Sequence, residues 1–384
     1  MKEKIVNLIA NHVEGMTAEE IATFIEIPPK QELGDYAFPC FRLAKTMHKA
    51  PNLIAADIKE AIGDIDFLDK IDVQGAYLNF FVKKNIFVQT MIESALKDNF
   101  GGSDEGADKV ICIDYSSPNV AKNFHVGHLR TTIIGNSLYK IYSKLGYKVI
   151  RINHLGDWGT QFGKLIVAYK NWGTKEAVEK DGVAELMRLY VKFHEEADQN
   201  PELVDEARAW FSKMEHGDEE ALSIWQWFKD ISLVEYKRTY DLLGMDFDYY
   251  LGESFYRDKC QEVVDQLTNA NLLKESEGAM IVDLSDYDMA PCIVTKKDGS
   301  SIYATRDLAA IFYRKNTYHF TKCLYVTGQE QKLHFAQVFK VVELLGNDWA
   351  KDSLVHIPYG LVSLEGAKLS TRSGNIIYAE DILH

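Results

Sequence analysis

Residues 110–146 limit the folds open to this chain of 384 residues more tightly than any other segment. Residues 110–113 are an apolar run with the composition of a buried strand, and a Pro-Asn pair then turns the chain. An amphipathic helix is predicted to begin near His125 and to end at Gly146. A strand that passes through a polar turn into a helix is typical of α/β folds, and the helix N-terminus is suited to bind a phosphate.

Two histidines and a lysine lie at this predicted helix start. His125 and His128 are three residues apart and therefore share one face of the first turn. With Lys122 they are placed to donate hydrogen bonds to phosphate oxygens as charge develops on them. Gly127 has no side chain, so a flat purine can approach the backbone there. A chance surface pair is one alternative, and a zinc site is another, although no Cys or third His lies nearby at zinc-like spacing.

The phosphate motifs of the commonest nucleotide-binding proteins are missing from this region. It contains neither G-x-x-x-x-G-K-[ST] nor G-x-G-x-x-G. The predicted site is therefore neither a P-loop nor a dinucleotide fingerprint.

Composition indicates an ordinary globular protein, with 46% hydrophobic and 26% charged residues. The five cysteines are scattered and never form C-x-x-C, which favours a reducing compartment without disulfides or a zinc framework. We find no apolar leader and no apolar run of membrane-spanning length, so we expect a cytoplasmic protein without a membrane partner. The net charge is −14, and residues 171–220, with 14 acidic and 6 basic side chains, contribute much of it. This balance neither supports nor excludes a nucleic-acid partner.

The pattern of predicted elements divides the chain into two domains. Residues 1–104 are predicted to form a small α+β domain that ends in the Gly-rich linker of residues 101–106. Residues 105–384 are predicted to form an α/β domain with a parallel sheet, because strands and helices alternate at 110–170 and again at 323–357. Within this second domain, residues 172–250 are predicted to be mainly helical, with breaks at Gly182, Asn200-Pro201 and Gly217. Ligands of such folds bind at the carboxyl ends of the strands.

Two later segments have the composition of turns or loops. Residues 297–300, K-D-G-S, predict a hairpin turn. Residues 366–375, G-A-K-L-S-T-R-S-G-N, predict a mobile loop in which Lys368 and Arg372 can close over a polyphosphate. An ordinary basic surface loop is the alternative.

Taken together, H-V-G-H at 125–128 and K-L-S-T-R at 368–372 resemble the HIGH and KMSKS elements of class I aminoacyl-tRNA synthetases. Thr371 stands where the second lysine of that element would be. Three longer blocks resemble arginyl-tRNA synthetases specifically: S-S-P-N-V-A-K-N-F-H-V-G-H-L-R, N-H-L-G-D-W-G-T-Q-F-G and Y-A-T-R-D-L-A-A. The likeness runs along about the whole chain and implies a Rossmann-like class I catalytic domain with helical insertions. The helical anticodon-binding domain of that family does not follow residue 384, so we expect a truncated chain.

This resemblance implies a two-step reaction, in which arginine and ATP give arginyl-adenylate and the arginyl group then passes to the 3′ end of tRNA(Arg). Mg²⁺ would accompany ATP, with no zinc and no resident metal, and the enzyme would act as a monomer. The implied catalytic residues are Lys122, His125, His128 and Lys368. The implied ATP-binding residues are His125, Gly127, His128, Lys368 and Ser370.

The resemblance also implies binding sites for the amino acid and the tRNA. A guanidinium prefers a carboxylate in bidentate geometry, and Asp307 is the candidate. Its alternative role is a helix N-cap or a surface charge linked to Arg306. The implied arginine contacts are Asp114, Ser117, Asn119, Tyr303, Asp307 and Gln331. Tyr77 and Asn79 are implied contacts of the tRNA D-loop, although a strand pair packing within its own domain explains them almost as well.

Two other functions remain open from the sequence. The chain could be a nucleotidylyltransferase of similar fold that acts on a small metabolite, or a non-catalytic binding module derived from a synthetase. Arginine-dependent release of pyrophosphate separates the first interpretation from both.

Overall fold

The computed structural model describes residues 1–296, 303–360, 363–364, 367–368 and 379–383, and for 363–364, 367–368 and 380–381 it describes the backbone alone. The chain forms two compact units, Met1–Phe100 and Gly101–His384. The predicted turn at 297–300 and most of the predicted loop at 366–375, including Ser370, lie outside the described residues.

The first unit packs helices against a three-stranded antiparallel sheet of order β1-β3-β2. Its elements are α1 (Lys2–Ala10), α2 (Ala18–Phe24), β1 (Tyr36–Pro39), α3 (Ala44–Met47), α4 (Pro51–Ile62), β2 (Leu68–Gln74), β3 (Tyr77–Val82) and α5 (Lys84–Ala95). Thr17 and Glu20 form a capping box that starts α2. The apolar faces of α1 and α4 meet the sheet in one buried core that includes Ile5, Ile54 and Phe80.

The second unit is built on a five-stranded parallel sheet of order β11-β10-β4-β5-β6. Its first half comprises β4 (Val110–Asp114), α6 (Val126–Lys144), β5 (Lys148–Asn153), α7 (Thr160–Trp172), α8 (Lys175–Gln199), α9 (Glu202–Glu215), α10 (Glu219–Leu242) and β6 (Tyr249–Tyr250). Its second half comprises α11 (Glu253–Tyr256), α12 (Cys260–Asn269), β7 (Leu273–Ser276), β8 (Ala279–Val282), β9 (Cys292–Thr295), α13 (Tyr303–Tyr318), β10 (Lys322–Gly328), α14 (Lys332–Leu344), α15 (Ala350–Ser353), β11 (Leu354–Tyr359), β12 (Ser363–Leu364), β13 (Ala367–Lys368) and α16 (Ala379–Leu383).

Both faces of this sheet are covered, as a parallel sheet requires. Ile111 and Ile113 of β4 face a core shared with α6, while Cys112 between them faces a core shared with α12, α13 and α14. Chain order reverses between β4 and β10, because β5 adds on one side of β4 and β10 on the other. A crevice is therefore expected outside the carboxyl ends of β4 and β10.

The helical stretch between β5 and β6 has a core of its own, formed by α7 to α10. The breaks predicted from the sequence are seen, since Gly182 has a φ of +56° within α8 and residues 200–201 and 217 separate the following helices. The linker stretch of residues 101–106 belongs to the second unit, where Ser103 and Gly106 donate to the carbonyl groups of Lys144 and Leu145.

Candidate active site

A cleft of about 650 Å³ opens where the sheet topology predicts it, at the carboxyl ends of β4 and β10. The cleft brings together most of the side chains that the sequence singled out. These are Asp114, Ser117, Asn119, His125, Gly127, His128, Tyr303, Asp307 and Gln331. Lys122 lies close enough to both histidines for its charge to lower their pKa values. Lys368 is described by its backbone alone, as part of β13.

The two histidines cap α6 and are fixed by the backbone around them. His125 Nδ1 accepts from the Gly127 N–H at 3.1 Å, and His128 Nδ1 accepts from the His125 N–H at 3.3 Å. The rings stack with centroids 3.8 Å apart. Because each Nδ1 accepts, the ring hydrogen of each neutral imidazole is assigned to Nε2. Burial, with a contribution from Lys122, lowers the pKa of both rings, so the pair offers two uncharged Nε2–H donors.

The His125 ring packs against Gly127, a contact that the sequence did not predict. A Cβ at this position would lie 2.9 Å from Cε1 of His125. A side chain at position 127 would therefore displace the His125 ring from the backbone that orients it.

Two carboxylates, one on α11 and one on α13, also line the cleft. Oδ2 of Asp307 is 2.6 Å from Nε2 of His334, and Oε2 of Glu253 is 2.6 Å from Nη1 of Arg306. The Asp307 side chain is 22% exposed and that of Glu253 is 12% exposed. Burial raises the pKa of Glu253 to about 7, although the charge of Arg306 opposes this shift.

The position of Asp307 argues against the alternative roles that we weighed from the sequence. α13 already includes Tyr303, so Asp307 lies within the helix and not at its N-cap. Arg306 pairs with Glu253. Asp307 is thus a cleft carboxylate oriented by an imidazole.

Asp114, at the end of β4, forms an ion pair with a buried arginine. Nη2 of Arg314, whose side chain is fully buried, lies 2.8 Å from Oδ2 of Asp114. The Ser117 hydroxyl donates to Oδ1 of Asp114 at 2.9 Å. Nδ1 of His154 accepts from Arg314 at 3.2 Å. Asp114 and Ser117, two of the predicted arginine contacts, are therefore bonded to each other, and Arg314 balances the charge of Asp114.

Among the cleft-lining residues that were not predicted as site residues from the sequence are His154, Glu253, Arg306 and His334. Glu253 follows β6, so the rule that ligands gather at strand ends applies to it. β6 has only two residues and lies inside a stretch predicted to be helical. A strand of two residues has no detectable periodicity, so β6 and the position of Glu253 after it could not be predicted from the sequence.

The loop from β4 to α6, residues 115–125, contains unusual backbone conformations. Ser116, Ser117 and Ala121 have φ values of +69°, +47° and +60°. Such conformations cost about 1–3 kcal/mol each in residues other than glycine and persist only where the surroundings impose them. This loop carries Asn119 into the cleft lining and places Lys122, which is not itself a lining residue, near the two histidines.

The two predicted tRNA contacts differ in exposure within the first unit. Tyr77, at the start of β3, is 36% exposed and packs edge-to-face on Phe41 at 6.0 Å. Asn79, two residues later, is 3% exposed and is paired with Ala37 and Asp72 of the flanking strands. Its side chain is part of the packing of this unit.

In the part of the chain that the structure describes, no three His, Cys, Asp or Glu side chains converge as a metal site would require. Within those same residues, no helix is both long and apolar enough to cross a membrane.

Comparison with known proteins identifies both units. Residues 91–384 match the family model of the catalytic domain of class I tRNA synthetases of the arginine type, and residues 2–82 match that of the arginyl-tRNA synthetase N-terminal domain. An arginine–tRNA ligase of Alkaliphilus metalliredigens is 57% identical over all of this chain, which spans 68% of that protein. One of Clostridioides difficile is 56% identical with the same coverage.

Solved structures show the same fold. The arginyl-tRNA synthetase of Thermus thermophilus matches with a TM-score of 0.69 at 20% identity, over 100% of this chain and 68% of that one. The enzyme of Plasmodium falciparum matches with a TM-score of 0.66 at 23% identity, over 95% and 66% of the two chains. The fold prediction is confirmed, and the chain belongs to the class I arginyl-tRNA synthetase family.

Proposed function

We propose that this chain activates L-arginine with ATP and transfers the arginyl group to the 3′ end of tRNA(Arg). The proposal rests on one observation, which is that two kinds of binding group line the same cleft. The imidazole donors at the start of α6 and the carboxylates of Asp307 and Glu253 line the same cavity. Donors suit a polyphosphate and carboxylates suit a guanidinium, so the cleft combines the two chemistries that arginine activation needs.

In the first step, an oxygen of the arginine carboxylate attacks the α-phosphorus of ATP. The bond from that phosphorus to the bridging oxygen of the β-phosphate breaks, and pyrophosphate leaves with the electron pair. His125 and His128 donate Nε2–H groups to the phosphate oxygens, and Lys122 adds positive charge. Because both rings are neutral, they stabilise charge without giving up a proton. Lys368 and Ser370 hold the pyrophosphate, and Mg²⁺ enters with ATP as part of the substrate.

Asp307 and Glu253 receive the guanidinium of the substrate. A guanidinium presents five N–H donors in a fixed plane, so two carboxylates with separate orientations can both be used. His334 contacts Asp307 and Arg306 pairs with Glu253, and these contacts within the cleft lining fix the two orientations. We assign further arginine contacts to Asp114, Ser117, Asn119, Tyr303 and Gln331.

In the second step, the terminal ribose 2′-hydroxyl of the tRNA takes the arginyl group and AMP leaves. We assign the D-loop contact to Tyr77, with Asn79 supporting β3 from within the sheet. We further infer a monomeric enzyme of the cytoplasm. The five cysteines are all free and buried, as a reducing compartment allows.

Calorimetry with nonhydrolysable aminoacyl-adenylate analogues tests this proposal. The chain is titrated with the arginyl analogue and with its lysyl and glutaminyl counterparts. We expect tight binding of the arginyl form alone. Equal binding of all three would leave a nucleotide site without arginine selectivity and would favour a different nucleotidylyl transfer, and no binding of any would contradict the proposal.

A further inference from the structure

One face of α10 makes polar contacts with the loops of the cleft. Its members are Trp225, Lys229, Ser232, Tyr236 and Tyr240, which follow one another at intervals of four, three, four and four residues. This spacing places them on a single helix face. The polar atoms of all five contact chain segments that lead into the cleft.

Three of these residues hold the strained loop between β4 and α6. The Ala121 N–H donates to Oγ of Ser232 at 3.0 Å. The Tyr236 hydroxyl lies 2.7 Å from the carbonyl oxygens of both Asn119 and Lys122.

The Tyr240 hydroxyl completes this set of contacts. It lies 2.7 Å from the hydroxyl of Ser116 and accepts from the Asn153 side-chain amide at 2.9 Å. Oδ1 of Asn153 in turn accepts from the Ser117 N–H at 3.1 Å. The three residues with positive φ are therefore each bonded to α10, either directly or through Asn153.

The other two residues hold the neighbouring loop after β5. Nζ of Lys229 lies 2.6 Å from Oδ2 of the fully buried Asp157, and Nε1 of Trp225 donates to the Asp157 carbonyl at 2.7 Å. The Asp157 carboxylate accepts two bonds of 2.8 Å from Ser254, next to Glu253. The same helix face is thus linked to the carboxylate side of the cleft.

We propose that this face of α10 positions the substrate loops of the cleft, and that Ser232, Tyr236 and Tyr240 are positioning residues for the activation of arginine. The inference rests on the function proposed above and adds residues that contact the loops without lining the cleft themselves. Strained backbone reverts when its partners are lost. The three hydroxyls are the partners on this helix, and Asn119 and Lys122 are what they place.

The hydroxyls, and not the packing of the rings, are the groups that this role needs. Burial raises the pKa of Tyr236 well above its usual value and that of Tyr240 to about 12, so both stay protonated at neutral pH. A phenylalanine at either position keeps the ring and removes the hydrogen bonds alone. The role can therefore be tested without emptying the core.

The experiment compares Tyr236→Phe, Tyr240→Phe and Ser232→Ala with Thr239→Val. Thr239 is buried on α10 but makes no hydrogen bond to the strained loop in the described part of the chain, so its variant is the matched control. Each protein is titrated calorimetrically with the arginyl-adenylate analogue, with arginine alone and with ATP alone, and its melting temperature is recorded.

We expect each of the three test variants to weaken binding of the analogue by about tenfold, the order of effect expected when one buried hydroxyl and its hydrogen bonds are lost. Tyr236→Phe should weaken arginine and ATP alike, because its partners are Asn119 and Lys122. Thr239→Val should bind as the unchanged protein does. A purely structural hydroxyl would lower the melting temperature while leaving the dissociation constant of the folded protein unchanged.

Test variants that bind the analogue as tightly as the control overturn the inference, even if they melt earlier. If Tyr236→Phe does not fold, Ser232→Ala decides, since it removes one small hydroxyl whose bond outside its own helix is the one from Ala121. If the unchanged chain itself fails to bind the arginyl analogue, the proposed function fails and this inference fails with it. Selective binding by the unchanged chain with unaffected variants refutes the positioning role alone.

Discussion

The Asp307 carboxylate offers the sharpest single perturbation, because Asp307→Asn removes a charge while preserving size. Two unit charges about 4 Å apart interact by ~4 kcal/mol at an effective dielectric constant of ~20. The Asp307 side chain is 22% exposed and an asparagine can keep a bond to His334, so we take about half of this value. A loss of ~2 kcal/mol corresponds to about 30-fold weaker arginine binding.

Isothermal titration with arginine and, separately, with ATP measures this effect. We expect the affinity for arginine to fall about 30-fold and that for ATP to stay unchanged. Asp265→Asn makes the same charge change at an exposed site on α12 and serves as the control. Unchanged arginine affinity in Asp307→Asn would refute the assignment of Asp307 to the guanidinium, and an equal loss of ATP affinity would indicate a general disturbance of the cleft.

Three further predictions concern separate parts of the molecule. Because the pKa of Glu253 is raised to about 7, its charged form becomes populated between pH 6 and 8. Arginine affinity should therefore rise over that interval, and Glu253→Gln should flatten this pH profile. A pH profile unchanged by that variant would contradict the assignment of Glu253 to the guanidinium. The same raised pKa means that this carboxyl contributes stability at low pH that is lost as the pH rises through about 7, which melting curves of the two proteins can detect. Gly127→Ala should displace the His125 ring and weaken ATP binding with little effect on arginine; equal ATP affinity would refute the packing argument. Tyr77→Ala should weaken tRNA(Arg) binding in a filter assay and leave arginine binding intact; full tRNA affinity would exclude the exposed ring as a contact.

The parallel sheet and its flanking helices could be predicted from the sequence because they follow local rules. The apolar run of β4, the capping histidine and the glycine after α6 mark boundaries that the structure reproduces within a residue or two. The backbone N–H groups of Gly146 and Tyr147 donate to the carbonyl oxygens of Ser143 and Tyr142, respectively. This is the hydrogen-bond pattern of a glycine-terminated helix. Such signals lie within a few residues of the feature they predict.

The rest of the cleft depends on contacts between distant parts of the chain. In the sequence, Asp157 is only one residue of the block N-H-L-G-D-W-G-T-Q-F-G, yet it joins α10 to the segment that carries Glu253. The bond between Arg314 and Asp114 spans two hundred residues of sequence. No local pattern specifies which buried charge will meet which partner, so these pairs could not be predicted before the fold was known.

The most direct test of the central claim is arginine-dependent exchange of pyrophosphate into ATP, measured with and without tRNA(Arg). We expect exchange that requires arginine, that lysine does not support, and that falls sharply in His128→Ala. Exchange that proceeds equally without arginine, or none with arginine and tRNA together, would contradict it.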